Sequence, residues 1–113
     1  MLRLLRQEDV VEWHSMPCAM HLSRKRVRTI AEGLLKYRYV QDVIMCAIVN
    51  QKIYILDGLH RISAFRLSNL SEVIADVRFH YFKTMESAVR TYVKFGTVVK
   101  MRKVAHYAKR LVN

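Results

Sequence analysis

A chain of 113 residues suits one compact domain, since domains commonly run to ~100–150 residues. Twenty Lys and Arg against nine Asp and Glu give a formal net charge of +11, yet 52% of the chain is hydrophobic and 10% is aromatic. That composition excludes a disordered chain, which would pair such charge with few apolar and aromatic residues. The sign and size of the charge favour polyanions as partners: nucleic acid, nucleotide phosphates or an anionic membrane surface. Apolar runs stop well short of the ~20 residues of a membrane span. Met1-Leu2-Arg3-Leu4-Leu5-Arg6 is soon followed by Gln7, Glu8 and Asp9 and so lacks a signal peptide's apolar stretch. Cys18 and Cys46 have no CxxC spacing and read as buried thiols in a reducing compartment. The expectation is a soluble, cytoplasmic chain with no membrane partner.

In chain order, Leu2 to Arg6 reads as a short strand, and Glu8 to Trp13 as one helical turn or an irregular link. Met16-Pro17-Cys18 marks a break, because Pro restricts both itself and the residue before it. Ser23 can cap a helix starting at Arg24, whose packed face is Val27, Ile30, Ala31, Leu34 and Leu35. Val43 to Val49 and Ile53 to Leu56, joined by Asn50-Gln51-Lys52, read as a β-hairpin. A helix follows over Ile62 to Leu67, ended by Asn69, and Val73 to Phe82 forms the next strand. Thr84 is placed to cap a helix reaching about Phe95, Gly96 stops it, and Thr97 starts a last helix. The last helix carries Met101, Val104, Ala105, Ala108, Leu111 and Val112 on one side. The order predicts an α+β domain: a single small mixed sheet with flanking helices over residues 1–83, and two basic C-terminal helices over 84–113 packed on the same domain.

The segment Leu56-Asp57-Gly58-Leu59-His60-Arg61 places a glycine and two potential cations where a strand turns into a helix. The first N–H groups of a helix lack intrahelical partners, and the helix dipole adds partial positive charge there. Gly58 lets the backbone approach a phosphate, the His60 imidazole can donate, and the Arg61 guanidinium matches phosphate oxygens. Asp57 would repel such an anion unless it caps the helix, holds His60 or Arg61, or helps to bind a metal ion. From spacing alone, a turn glycine with a capping Asp and surface cations accounts for the same residues.

In its context, Tyr54-Ile55-Leu56-Asp57-Gly58-Leu59-His60-Arg61-Ile62-Ser63-Ala64-Phe65 resembles the signature of the ParB/sulfiredoxin superfamily, a strand entering a Gly-x-His/Arg-Arg loop and a helix. The upstream helix and hairpin and the downstream Val73–Tyr81 strand follow that superfamily's order, so the resemblance covers roughly residues 1–83. It implies a nucleotide-phosphate loop at Gly58, Leu59, His60 and Arg61. Sulfiredoxins have a catalytic Cys where this chain has Leu59, and Cys46 lies in a strand, so sulfinic acid reduction is not implied. The free serine kinase branch has the most similar loop, Asp-Gly-His-His-Arg, but its carboxylate after a His has no counterpart in His21-Leu22-Ser23. The chromosome-partitioning branch holds CTP with Gly-Glu-Arg-Arg, whose Glu is again Leu59 here.

Positive charge collects in two further places. Arg24, Lys25, Arg26 and Arg28 open the first long helix, and Arg90, Lys94, Lys100, Arg102, Lys103, Lys109 and Arg110 follow the last acidic residue, Glu86. Arg24, Lys25, Arg28, Lys100, Arg102, Lys103, Lys109 and Arg110 are the candidate nucleic-acid contacts, which would give sequence-tolerant, salt-sensitive binding. A solvated face that keeps the chain soluble is the alternative. The tyrosines and Trp13 read mainly as core or core edge, the methionines as core filler. The histidines lack transition-metal spacing, so no metal site of that kind is expected.

The resemblance together with the charge implies a ParB-like protein binding nucleic acid, DNA in the first place, with low sequence specificity because the helical domain that reads sites in full partitioning proteins has no counterpart. A short basic domain of this type suits a plasmid or virus accessory gene. The loop would hold a backbone phosphate or a nucleoside di- or triphosphate with Mg2+. The alternative is a nuclease, NTPase or phosphotransferase with Asp57 and His60 as acid/base or metal residues. Oligomeric state stays open, a dimer included.

Overall fold

The computed structural model of the protein describes residues 2–17, 19 and 22–94. The first strand, β1 (Leu2–Arg6), runs into a single helical turn, α1 (Gln7–Val10), where the Asp9 carboxylate accepts the Arg6 N–H at 2.8 Å. A two-residue strand, β2 (His14–Ser15), follows. Ser23 caps α2 (Arg24–Tyr37), its Oγ accepting the Arg26 N–H at 3.3 Å. The hairpin comprises β3 (Ile44–Val49) and β4 (Lys52–Asp57). Its turn is Asn50-Gln51 alone, both residues at positive φ (50° and 65°), the conformation that matches a two-residue turn to strand twist. Lys52 therefore belongs to the strand rather than to the link. After β4 come α3 (Leu59–Leu67) and β5 (Glu72–Tyr81). Residues 85–94 are helical (α4), with Thr84 Oγ1 accepting the Ser87 N–H at 3.2 Å.

The strands form one mixed sheet in the order β1-β5-β3-β4-β2. β1 pairs antiparallel with β5 and β3 antiparallel with β4, while β3–β5 and β2–β4 are parallel. The domain is α+β with a single mixed sheet, and alternation along the strands divides the core into two layers. Ile44, Cys46, Ile55, Val73, Ala75 and Val77 face α2 and α3, where Val27, Ala31, Leu34, Ile62 and Phe65 cover them. Ala47, Val49 and Leu56 point to the other face, under Met16 and Ala88 of α4. Full burial of an aliphatic side chain is worth roughly 1.5–3 kcal/mol, so the central strands, apolar on both faces, carry much of the stability.

Two expectations shift. Leu35 was expected on the packed face of α2 but is 51% exposed, because the stripe that meets α3 is the narrower Val27-Ala31-Leu34. β2 falls between the link ending at Trp13 and the break at Met16, where no element was expected, and it completes the sheet by pairing His14 and Ser15 with Tyr54 and Ile55. The helix expected from Thr97, with Lys100, Arg102, Lys103, Lys109 and Arg110, lies outside the described residues, as does Cys18. Among the described residues no helix is long and apolar enough to cross a membrane.

Candidate anion-binding site

At the end of β4 the chain must reverse from strand to helix within one residue. Gly58 does this at φ 115°, a region that side chains rarely adopt. A Cβ there would lie 3.2 Å from Ile44 Cγ1 and 3.3 Å from an Arg61 terminal nitrogen, so conformation selects glycine and a side chain would also press on both neighbours. The Gly58 carbonyl accepts the Ile62 N–H at 2.9 Å, the first bond of α3, and no side chain caps the helix. The N–H groups of its first turn are thus left without intrahelical partners. Leu59 packs its side chain against the core, leaving only its backbone for a ligand.

Arg61 is held from two sides. One terminal nitrogen donates to the Gln41 carbonyl at 2.7 Å, and the other lies 3.6 Å from the Asp57 carboxylate. The Arg61 side chain is only 15% exposed against 56% for Asp57, so the guanidinium is fixed in a notch while its counter-ion stays wet. Of the roles open to Asp57, the structure shows the one in which it holds Arg61.

His60 joins the turn to a second helix. Its Nε2 accepts the Ser23 N–H at 3.1 Å, so that nitrogen carries a lone pair and the ring proton sits on Nδ1. Burial, and then the Arg26 charge, hold its pKa below the ordinary histidine value. Two helix N-termini therefore meet, α3 at Gly58 and α2 at Ser23, and their dipoles add positive potential to that of Arg26 and Arg61. Arg24, Lys25 and Arg28 are exposed on the same end of α2. The structure thus brings Gly58, Leu59, His60, Arg61 and the α2 cluster to one corner.

Sequence reasoning did not name the Gln41 carbonyl, the Ser23 amide or Ile44 as parts of this corner. Ser23 carried a signal as the cap before a basic run; a backbone carbonyl such as Gln41's carries none. Cys46 is fully buried in β3 with its thiol pKa pushed up to about 12 by burial, which leaves it unreactive. Among the described residues no three His, Cys, Asp or Glu side chains are grouped to hold a metal ion.

No protein-family model matches the sequence, and no curated protein matches it. The fold does match solved structures. Sulfiredoxin from Arabidopsis thaliana is similar with a TM-score of 0.56 and 16% identity, over 82% of this chain and 97% of that one. C-terminally truncated ParB from Caulobacter crescentus, complexed with CTP-γ-S, gives 0.57 and 12% identity over 83% of this chain and 52% of its own. C-terminally truncated SbnI from Staphylococcus aureus gives 0.50 and 13% over 68% of this chain and 30% of its own. The chain thus spans about half of that ParB and under a third of that SbnI, and at these identities the likeness is one of fold.

Proposed function

The chain has a ParB/sulfiredoxin-like fold, and from that premise we propose that it is a ParB-like nucleic-acid-binding protein whose Gly58–Arg61 turn holds a nucleotide or backbone phosphate. The observation that carries this reading is the meeting of two helix N-termini at a glycine turn flanked by Arg26 and Arg61. Free N–H groups, two dipoles and fixed guanidinium charge are the elements of a phosphate cradle. That the Caulobacter ParB structure contains CTP-γ-S lends support by analogy of fold.

In this reading Gly58 gives backbone access, Leu59 contributes its N–H, and His60 contributes Nδ1–H. Arg61 stands ready to exchange Asp57 for the ligand's oxygens. A bound nucleoside di- or triphosphate would bring Mg2+ with it. Exposed Arg24, Lys25 and Arg28 continue the positive surface toward a DNA backbone, and Lys100, Arg102, Lys103, Lys109 and Arg110 complete the proposed contact set. Such contacts read charge rather than base sequence, hence low specificity.

Sulfinic acid reduction is disfavoured by Leu59 at the thiol position and by the buried, weakly acidic Cys46. Catalysis through Asp57 and His60 draws no support from their contacts, the first pairing with Arg61 and the second with the Ser23 amide. Isothermal titration with ATP, ADP and CTP, with and without Mg2+, tests the proposal. Binding of at least one nucleotide, reduced tenfold or more by Arg61→Ala, is expected; no binding by the wild type overturns the nucleotide site.

A further inference from the structure

We propose that His60 is a positioning residue: a neutral imidazole whose Nε2 anchors the Ser23 amide and so holds the N-terminus of α2, with Arg26, against the Gly58 turn. This role rests on the phosphate-binding reading but assigns His60 a task other than acid/base chemistry.

A backbone N–H is only a donor, so a ring nitrogen 3.1 Å away must offer a lone pair, which an imidazolium lacks. The other bonds of Ser23 are local. Its Oγ accepts the Arg26 N–H and its carbonyl accepts the Val27 N–H at 3.0 Å, both inside α2. Its own N–H points out of the helix, and the bond to His60 ties it across 37 residues of sequence to the second residue of α3. That bond joins the two helices at the end where their unpartnered N–H groups lie. Without it, the first turn of α2 depends on apolar contacts beginning at Val27, one turn further in.

The charges around the ring favour the neutral form. α2 brings Arg26, whose charge acts on the ring, with Arg24 and Lys25 in the same first turn; next to His60 in α3, Arg61 is paired with the Asp57 carboxylate at the end of β4. A proton on His60 would add a cation to that group and remove the lone pair from the Ser23 N–H. The direction of the pKa shift, downward through burial and then Arg26, agrees with the geometry. Because the folded pKa is depressed, the anchor is complete above the unfolded histidine value of about 6.5 and is lost as pH falls through the folded value. Among the described residues no hydrogen bond engages the ring's remaining donor, Nδ1–H, which keeps it available to an anion.

The test uses the full chain and two variants. His60→Gln keeps an acceptor near the position of Nε2, and His60→Phe keeps bulk without one. Long-range proton–nitrogen spectra at pH 7.5 are expected to show the Nδ1–H tautomer. Ser23 amide protection against exchange is expected to be at least tenfold higher in wild type and His60→Gln than in His60→Phe. Protection should fall with a single step below pH 6.5 in wild type and show no step in His60→Gln. With pyrophosphate as the probe, His60→Phe should bind at least tenfold more weakly than wild type, and His60→Gln, which keeps the anchor but not the Nδ1–H donor, should bind more tightly than His60→Phe. An Nε2–H tautomer, equal Ser23 protection in all three proteins, or undiminished pyrophosphate affinity in His60→Phe would overturn the positioning role. If the tautomer and protection results hold and wild type does not bind pyrophosphate, the anchor stands and the phosphate-binding reading falls.

Discussion

Gly58 concentrates several demands on one residue. Its φ of 115° suits glycine, and the Ile44 side chain and the Arg61 guanidinium crowd the position a Cβ would take. Gly58→Ala is expected to cost about 1–3 kcal/mol through backbone strain, read as a lower urea midpoint, and to weaken phosphate binding by displacing Arg61. The glycine itself was legible because a strand and a helix flank it directly. The task of Asp57 was not: capping, ion pairing and metal binding all fit its place before a glycine. The fold selects pairing, since Arg61 lies one helical turn on and is anchored by the Gln41 carbonyl from a segment twenty residues earlier in the chain. No side-chain pattern marks a carbonyl that serves in this way.

Among the elements, α3 is the one the others attach to. Arg66 near its end donates to the Val10 and Trp13 carbonyls at 2.6 and 2.7 Å, fastening the chain between α1 and β2. Gln7 similarly donates to the Phe65 and Leu70 carbonyls at 2.8 and 2.9 Å. Arg66→Ala is expected to destabilise the domain by about 1.5–3 kcal/mol, the range for hydrogen bonds from a charged donor. Urea unfolding followed by Trp13 fluorescence measures it, and an unchanged midpoint would show that the fastening carries no weight. Local signals marked α2 and α4 well, since the Ser23 and Thr84 hydroxyls cap the N–H groups that their spacing implied. β2 had no such signal. Two residues show no periodicity, and their pairing with Tyr54 and Ile55 exists only once the chain has folded back on itself.

At the scale of the whole molecule, the net charge of +11 predicts binding of polyanions that weakens with salt. If Arg24, Lys25 and Arg28 each neutralise one phosphate of duplex DNA, those three contacts alone lose about 40-fold in affinity between 50 and 200 mM salt. Replacing all three with Gln should flatten the salt slope by about 2.7; fluorescence anisotropy with duplexes of unrelated sequence checks both, and a salt-independent affinity would contradict the phosphate-dominated surface. Composition and periodicity determined that the chain folds, that it is α+β and that it is basic, because burial pattern, caps and turn residues act over a few positions. The sheet order, the approach of α2 to the Gly58 turn, and the commitment of Asp57 to Arg61 and of His60 to Ser23 were decided by the tertiary structure. The first, second and last depend on groups distant in sequence that meet only when strands pair and helices pack; Asp57 and Arg61 are four residues apart, but Arg61 is fixed by the distant Gln41 carbonyl, and backbone donors and acceptors, which every residue carries alike, make two of the three decisive contacts at this corner.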